Sequence, residues 1–222
     1  MQATDLKVDD LVEKIHRREL RLPEMQRRYV WRAPRVRDLF DSLYRGYPSG
    51  AILVWETDSP VETRDFAVEQ AVGGLANGWL LLDGQQRLTS LAAVLGGKAV
   101  KVRGRQKPID LLFNLEHPEE LTAVTEVNED ADEDEDDGSA EAADLYSVAD
   151  APPQDELSRR FAEMTFVVAT PRMAALPHWV RVSDVFACDD DMRFIQEAGI
   201  TSWDDARFKL YQKRLQRLRQ IR

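Results

Sequence analysis

The sequence predicts an α+β fold, because the chain contains both segments with the 3.6-residue apolar period of helices and short apolar runs typical of strands. The 222 residues are 43% hydrophobic, which suits one substantial core or one domain with a helical extension. The single cysteine, Cys188, excludes an internal disulfide and a cysteine-based zinc cluster. No apolar run is long enough to span a membrane, and we expect a cytoplasmic protein with no membrane partner.

The first part of the chain predicts two helices separated by an extended segment. Apolar residues recur at helical spacing over residues 6–16, and the extended segment contains Pro23. The second helix begins near Pro34 and ends at Gly46. Its predicted apolar face consists of Val36, Leu39, Phe40 and Leu43. A strand is predicted over 51–55, and the polar, glycine-containing residues 56–78 predict a strand pair or a loop.

The central part of the chain predicts a buried strand that leads directly into a helix. Four apolar residues, 79–82, precede a helical pattern over 84–95, in which Leu88, Leu91 and Leu95 share a face. Asp83 is the predicted N-cap of this helix. Two further strands are predicted at 99–102 and 109–115, around a basic turn.

The later part of the chain contains an acidic segment and a terminal helix. Between residues 119 and 153 the apolar pattern fails, which predicts an exposed, flexible insertion. A strand over 161–169, a short strand leading into a helical segment from Trp179, and a basic helix over 203–222 follow. We expect one domain over 1–190 and a helical extension over 191–222. Because the last helix stops without a cap signal, it is predicted to lead toward a further domain, and the alternative is a self-contained packing helix.

The most informative motif is Asp83-Gly84-Gln85-Gln86-Arg87, at the junction of the central strand and helix. Backbone N–H groups and the positive end of the helix dipole favour an anion there, phosphate above all. Arg87 adds planar donors for phosphate oxygens, and Asp83 can hold a divalent cation or orient a nucleophile. The alternative is a structural cap of the kind common in α/β domains.

The net charge of −10 is concentrated in one tract. Residues 126–144 carry eleven Asp and Glu, which leaves 29 acidic against 30 basic residues elsewhere. The arginine stripe, defined as the eight arginines 17, 18, 21, 27, 28, 32, 35 and 37, is locally basic. Arg28, Tyr29, Trp31, Arg32 and Arg35 are the candidate DNA contacts, through phosphates and stacking. Alternatively, several of these arginines are solvated or paired with helix carboxylates.

The sequence resembles the GmrSD-type restriction endonuclease N-terminal domain family, within the ParB/sulfiredoxin-like superfamily. The matching segments, in order, are 22–31, 39–55, the motif-containing 83–91, 112–115 and 179–186, so that the resemblance covers roughly residues 5–190. The resemblance implies a ParB/sulfiredoxin-like mixed sheet flanked by helices. It further implies nucleoside triphosphate hydrolysis at the motif, coupled to cleavage of modified foreign DNA in phage defence.

In such a mechanism the triphosphate would lie on the helix start at residues 84–87, with Mg²⁺ near Asp83 and water positioned by Gln85 or Gln86. Gln26 and Arg27 would complete the nucleotide pocket. In the family the nuclease chemistry belongs to a separate His-Asn-His (HNH) domain or subunit, and the three widely separated histidines here match no such pattern. A non-hydrolysing DNA or nucleotide sensor and, more weakly, direct DNA cleavage by this domain remain as alternatives.

Overall fold

A computed structural model of the chain describes residues 6–23, 29–64, 72–96, 110–118 and 161–221. The principal helices and strands within these ranges are, in chain order, α1 (Val8–His16), β1 (Leu20–Pro23), α2 (Ala33–Arg45), β2 (Leu53–Arg64), β3 (Val72–Asp83), α3 (Gln85–Leu95), β4 (Leu111–Asn114), β5 (Phe166–Val168), α4 (Pro171–Ala174), β6 (Trp179–Arg181), α5 (Val182–Ala187), α6 (Asp191–Glu197) and α7 (Ala206–Arg219). The α+β class and the terminal helix are confirmed. The predicted strand at 99–102 and the acidic insertion lie outside the described residues.

The first sheet is mixed, as predicted, and closes on itself. β2 and β3 form a long antiparallel hairpin, which confirms a strand pair within 56–78. β1 runs antiparallel to the far part of β2 and parallel to β3, where Leu20 pairs with Trp79. The resulting small barrel is irregular, with register shifts in the β2–β3 ladder. Strand β3 ends at Asp83, and helix α3 begins two residues later, at Gln85.

The second sheet is antiparallel, with strand order β5-β4-β6. The predicted strand over 161–169 is shorter in the structure and begins at Phe166. The side chain of Asn114 donates hydrogen bonds of 3.1 Å to the carbonyls of Ala162 and Met164. Residues 161–163 are helical, so the first part of the predicted strand is wrong, and the Asn114 bonds attach the end of this helical segment to β4.

The described residues form three buried apolar clusters, and α3 belongs to the two larger ones. Leu88 packs with α1, β1 and β3 in the smaller of these two, whereas Leu91 and Val94 pack in the larger one. The larger cluster joins α2, the second sheet and the C-terminal helices. The helix that begins at the motif is therefore held from two sides, which fixes the position of its N-terminus relative to both sheets. None of the helices in the described ranges is long and apolar enough to cross a membrane.

The C-terminal helix α7 packs into this common core. Its buried apolar residues include Phe208, Tyr211, Leu215 and Leu218, as the helical period predicted. Arg214, buried on the same face, donates to the backbone carbonyls of Leu115 and His117 just after β4. Over the described residues, α7 is thus a packing helix. A domain beyond it stays a prediction.

His117 is a buried neutral histidine beside this contact. Its Nδ1 lies 2.7 Å from the carbonyl of Pro118, which can only accept, so Nδ1 donates and Nε2 accepts from the Tyr44 hydroxyl at 2.9 Å. Burial, with the nearby cations of Arg45, Arg214 and Arg217 adding to it, lowers the pKa of His117 to about 4. Protonation would therefore destabilise the fold.

We expect the free energy of unfolding to fall as the pH drops through this histidine's titration. The unfolded state binds the proton near pH 6.5 and the folded state only near pH 4, so stability is complete above the first value and lost toward the second. The slope is at most about 1.4 kcal/mol per pH unit for one proton. Urea unfolding at several pH values should give a shallower slope for His117→Gln than for the wild type, and equal slopes would contradict the assignment.

Candidate active site

The strand-to-helix junction turns at a glycine. Gly84 has φ +91°, a left-handed conformation that is strained for other residues, and a Cβ there would lie 3.2 Å from Cγ1 of Ile52. The N-cap residue of α3 is Gly84, which has no side chain that could accept a hydrogen bond from the first turn of the helix. The prediction that Asp83 caps the helix is therefore wrong. Asp83 is instead the last residue of β3, paired with Leu53 across the hairpin.

The start of α3 has the features of an anion site. No side chain caps it and its first turn contains no acidic residue. The first N–H groups of a helix have no intrahelical acceptor, and the helix dipole adds positive potential at this end. Together these features suit a phosphate group, provided that the surrounding side chains also do.

Arg87 ties the helix start to the turn that precedes β2. Its Nη1 donates to the carbonyl of Ser49, and its Nη2 donates to the carbonyl of Ala51 at 2.7 Å. The same Nη2 lies 3.5 Å from Oδ2 of Asp83. The Asp83 side chain is 72% exposed and that of Arg87 only 20%. Arg87 thus has a structural task, while Asp83 faces solvent.

The two glutamines of the motif have different surroundings, although both are buried. Gln86 Oε1 accepts from the backbone N–H of Val30 at 2.9 Å and from that of Trp31 at 3.3 Å. Gln85 is 5% exposed, and neither its Oε1 nor its Nε2 has a hydrogen-bond partner among the described residues. Because buried amides are normally satisfied, the unused hydrogen-bonding groups of Gln85 distinguish it from Gln86 as the candidate for ligand contact. The sequence left the choice between the two open.

We expect Gln86→Met to destabilise the protein and Gln85→Met to leave stability unchanged or higher. The first variant removes the acceptor of two backbone N–H groups, at a cost of about 1–3 kcal/mol. The second removes two unsatisfied polar atoms while keeping much of the side-chain volume. Urea denaturation of the two variants is the measurement. Equal destabilisation would contradict the distinction between them.

Thr89 lies one helical turn after Gln85, and like Gln85 it is a buried polar residue without a hydrogen-bond partner for its side chain among the described residues. It is 2% exposed, and its hydroxyl also lacks a hydrogen-bond partner within the described part of the chain. The sequence analysis did not single out this residue. The spacing of four from Gln85 could have indicated a shared helix face, but not that both polar groups would be buried without partners.

The segment before α2 packs onto α3. Tyr29 is buried, and its hydroxyl lies 2.8 Å from Oγ of Ser90, which itself donates to the Gln86 carbonyl. Burial raises the pKa of Tyr29 to about 12, so the hydroxyl stays protonated. This burial removes Tyr29 from the surface available to DNA. Gln26, Arg27 and Arg28 lie outside the described residues.

Within the described residues, some arginines of the arginine stripe are exposed at the surface and others bind side chains of the fold. Arg32 is exposed, and Arg35 is stacked over the half-buried ring of Trp31, 5.1 Å from its centroid. Arg21 donates to the Thr63 hydroxyl at 3.0 Å, and Arg37 forms a largely buried pair with Asp38. Internal pairing, the alternative to DNA contact, is thus realised for some members of the stripe.

The structure also exposes an apolar face that the sequence analysis did not identify. Leu53, Trp55 and Leu82 are large, exposed side chains on the β2–β3 hairpin next to Asp83. Strict alternation around the inward-packed Val54 could have placed Leu53 and Trp55 on the outer face. The extent of their exposure depends on packing between the two strands and their neighbours.

The junction offers one exposed carboxylate, that of Asp83, as a candidate metal ligand. Within the described ranges, no three His, Cys, Asp or Glu residues gather as a metal-binding group. Mg²⁺ is commonly held by one or two carboxylates together with substrate phosphates and water. The exposed carboxylate of Asp83, beside an uncapped helix start, fits that mode.

Fold and site together define a mixed α+β domain in which a small closed sheet delivers an Asp-Gly-Gln-Gln-Arg turn to the start of a buried helix. The family model described as GmrSD restriction endonuclease, N-terminal domain, matches residues 8–173. The chain belongs to this family and is thus part of a restriction system. No curated protein matches the chain.

Proposed function

We propose that the chain is the NTP-hydrolysing, DNA-sensing regulatory module of a modification-dependent restriction system, and that it acts with a separate HNH-type nuclease domain or subunit. The observation that carries the catalytic part is the uncapped start of α3, where an unsatisfied Gln85 amide lies two residues before Arg87. Such sites act by positioning and by charge stabilisation, because phosphoryl transfer asks little covalent chemistry of the protein.

Each residue of the motif has a proposed task in hydrolysis. The backbone N–H groups that follow Gly84 donate hydrogen bonds to phosphate oxygens. Arg87 neutralises the negative charge of the phosphates while it also binds the turn before β2. Asp83 would hold Mg²⁺, which neutralises charge on the phosphate oxygens when bound. Gln85 orients water, and Gln86 anchors the segment at Val30. Gln26 and Arg27 remain proposed members of the nucleotide pocket.

The DNA-sensing part rests on the family and on surface charge. Arg32 is exposed, and Arg35 and Trp31 form a stacked pair at the start of α2. Guanidinium groups of this kind contact phosphates without reading sequence. Arg28 completes the proposed set of DNA contacts. DNA binding at these residues would be coupled to α3 through the backbone N–H groups of residues 30 and 31, which donate to Gln86.

A non-hydrolysing sensor is the second candidate. It is favoured by the commitment of Arg87 to two backbone carbonyls, because a guanidinium in this arrangement has fewer donors left for a transferred phosphoryl group. In that case the helix start would bind a nucleotide, and the bound state would recruit or restrain the nuclease.

Phosphate release tests the proposal directly. The wild type and Asp83→Asn are compared with each of the four NTPs and Mg²⁺, with and without modified or unmodified DNA. Asp83 is exposed, so the variant should fold normally and lose the Mg²⁺-dependent turnover. Nucleotide binding by the wild type without phosphate release would support the sensor. Equal hydrolysis by both proteins would exclude Asp83 from the mechanism.

A further inference from the structure

Three unsatisfied polar atoms lie on one face at the beginning of α3. They are Oε1 and Nε2 of Gln85 and Oγ1 of Thr89, and among the described residues none has a hydrogen-bond partner. Both side chains are more than nine-tenths buried. Buried polar groups without partners destabilise a fold, so a cluster of three calls for an explanation other than stability.

The direction of helical side chains brings these atoms to the anion site. Residues four apart lie on the same face, and each side chain leans toward the N-terminus over the preceding turn. Thr89 therefore covers the turn that contains Gln85, and Gln85 itself leans toward Gly84, where the helix has no cap. The neighbouring face, with Gln86 and Ser90, is already occupied by the contacts to residues 29–31.

The chemistry of the three atoms specifies what they can bind. An amide nitrogen donates, an amide oxygen accepts, and a hydroxyl does either. An ionised phosphate oxygen only accepts, so a phosphate would leave Oε1 of Gln85 unsatisfied. A water molecule both donates and accepts, and can satisfy the amide and the hydroxyl together.

We infer that Thr89 is a further positioning residue which, together with Gln85, holds the water that attacks the terminal phosphoryl group. This inference rests on the proposed hydrolysis and extends it beyond the five-residue motif. Thr89 fixes the orientation of the water, and the Gln85 oxygen accepts one of its protons in a hydrogen bond.

The reaction balances with water as its only co-reactant. The water oxygen forms a bond to the terminal phosphorus, and the bond from that phosphorus to the bridging oxygen breaks. The bridging oxygen leaves with the nucleoside diphosphate. The water's proton passes to a phosphate oxygen, because an amide and a neutral hydroxyl are too weakly basic to keep it. Gln85 and Thr89 thus orient the nucleophile without acting as a general base.

The test is Thr89→Val, a near-isosteric change that replaces the hydroxyl by a methyl group. We expect kcat for NTP hydrolysis to fall on the order of 10- to 100-fold because the water is misplaced, whereas the Kd of the nucleotide stays unchanged. Tm without nucleotide should stay the same or rise. Thr89→Ser, which keeps the hydroxyl, should retain most of kcat.

Thr165 provides a matched control. It is as deeply buried as Thr89, and its hydroxyl likewise has no hydrogen-bond partner in the described ranges, but it lies just before β5 in the second sheet. Thr165→Val should therefore show the same direction of Tm change with an unchanged kcat. A common loss of kcat in both variants would indicate a general effect of the substitution and overturn the inference.

The outcomes separate the inference from the function on which it rests. Unchanged kcat in Thr89→Val, with hydrolysis by the wild type, overturns the inference alone. A large drop in Tm for Thr89→Val also overturns it, because the hydroxyl would then have a structural partner such as a resident water. No hydrolysis by the wild type with any NTP, in the presence of DNA and the nuclease partner, overturns both.

Discussion

Arg87→Ala is expected to abolish most hydrolysis and to loosen the site at the same time. The variant loses the charge beside the helix start, and loss of one such stabilising donor typically lowers kcat by about 10²- to 10³-fold. It also leaves the carbonyls of Ser49 and Ala51 without their donor. Hydrogen bonds to a charged group contribute about 1.5–3 kcal/mol each, so urea unfolding should show a clear loss of stability.

Two further variants separate the charge of Arg87 from its geometry. Arg87→Lys keeps the charge but has no planar pair of donors for two carbonyls. In Gly50→Ala a new Cβ would collide with Nη1 of Arg87 while the residue itself remains. Gly199→Ala is the matched control, because Gly199 has nearly the same φ, +84° against +87°, with nothing within 4 Å of an added Cβ.

We expect Gly50→Ala to lose more activity than Gly199→Ala, although both are strained at a positive φ. Phosphate release, normalised to the folded fraction of each variant, is the measurement. Equal activity in the two variants, together with normal turnover by Arg87→Ala, would contradict a role for this guanidinium in catalysis.

Arg214→Met is expected to be the most destabilising single change in the C-terminal part of the chain. The side chain is buried, and it donates to the carbonyls of Leu115 and His117. Methionine replaces much of the packing volume but none of the donors, so two carbonyls lose their partners. Hydrogen bonds to a charged group contribute about 1.5–3 kcal/mol each, so the loss of two should lower the free energy of unfolding by several kcal/mol. Urea or thermal unfolding, followed by circular dichroism, measures the loss.

Lys213→Met tests whether this effect comes from the buried contact. Lys213 precedes Arg214 on α7 and is exposed, so the same replacement should change stability by less than about 0.5 kcal/mol. Comparable losses in both variants would show that charge on α7 in general, and not the contact with the end of β4, stabilises the fold.

Local sequence signals placed most of the helices and strands. Gly46 ends α2 with φ +78°, as predicted for a glycine after a helical period. The apolar face of α7 is buried as its spacing indicated. The predicted starts of β2 and β5 differ from the structure, and at both places a side chain from a distant part of the chain binds backbone carbonyl groups. Arg87 binds the carbonyl of Ala51 just before β2, and Asn114 binds the carbonyls of Ala162 and Met164 just before β5.

The sequence predicted which residues form the candidate site, but not the hydrogen-bond partners of those residues or the residue that caps the helix. The spacing identified the junction of strand and helix and the residues suited to phosphate, yet the cap proved to be Gly84. Nothing local distinguishes Gln85 from Gln86. The distinction arises because residues 30 and 31, more than fifty positions earlier, donate to one of them and leave the other unsatisfied.

By itself the sequence determined the α+β class, the order of the elements and the position of the Asp-Gly-Gln-Gln-Arg turn, because apolar periodicity and glycine conformation act over a few residues. Only the tertiary structure decided which polar groups are satisfied. Arg87 became a tie to the turn before β2, Tyr29 a core residue, and Thr89 a buried residue whose hydroxyl has no partner within the described ranges. These roles depend on contacts between segments that are distant in the chain, and burial makes each unsatisfied donor or acceptor costly.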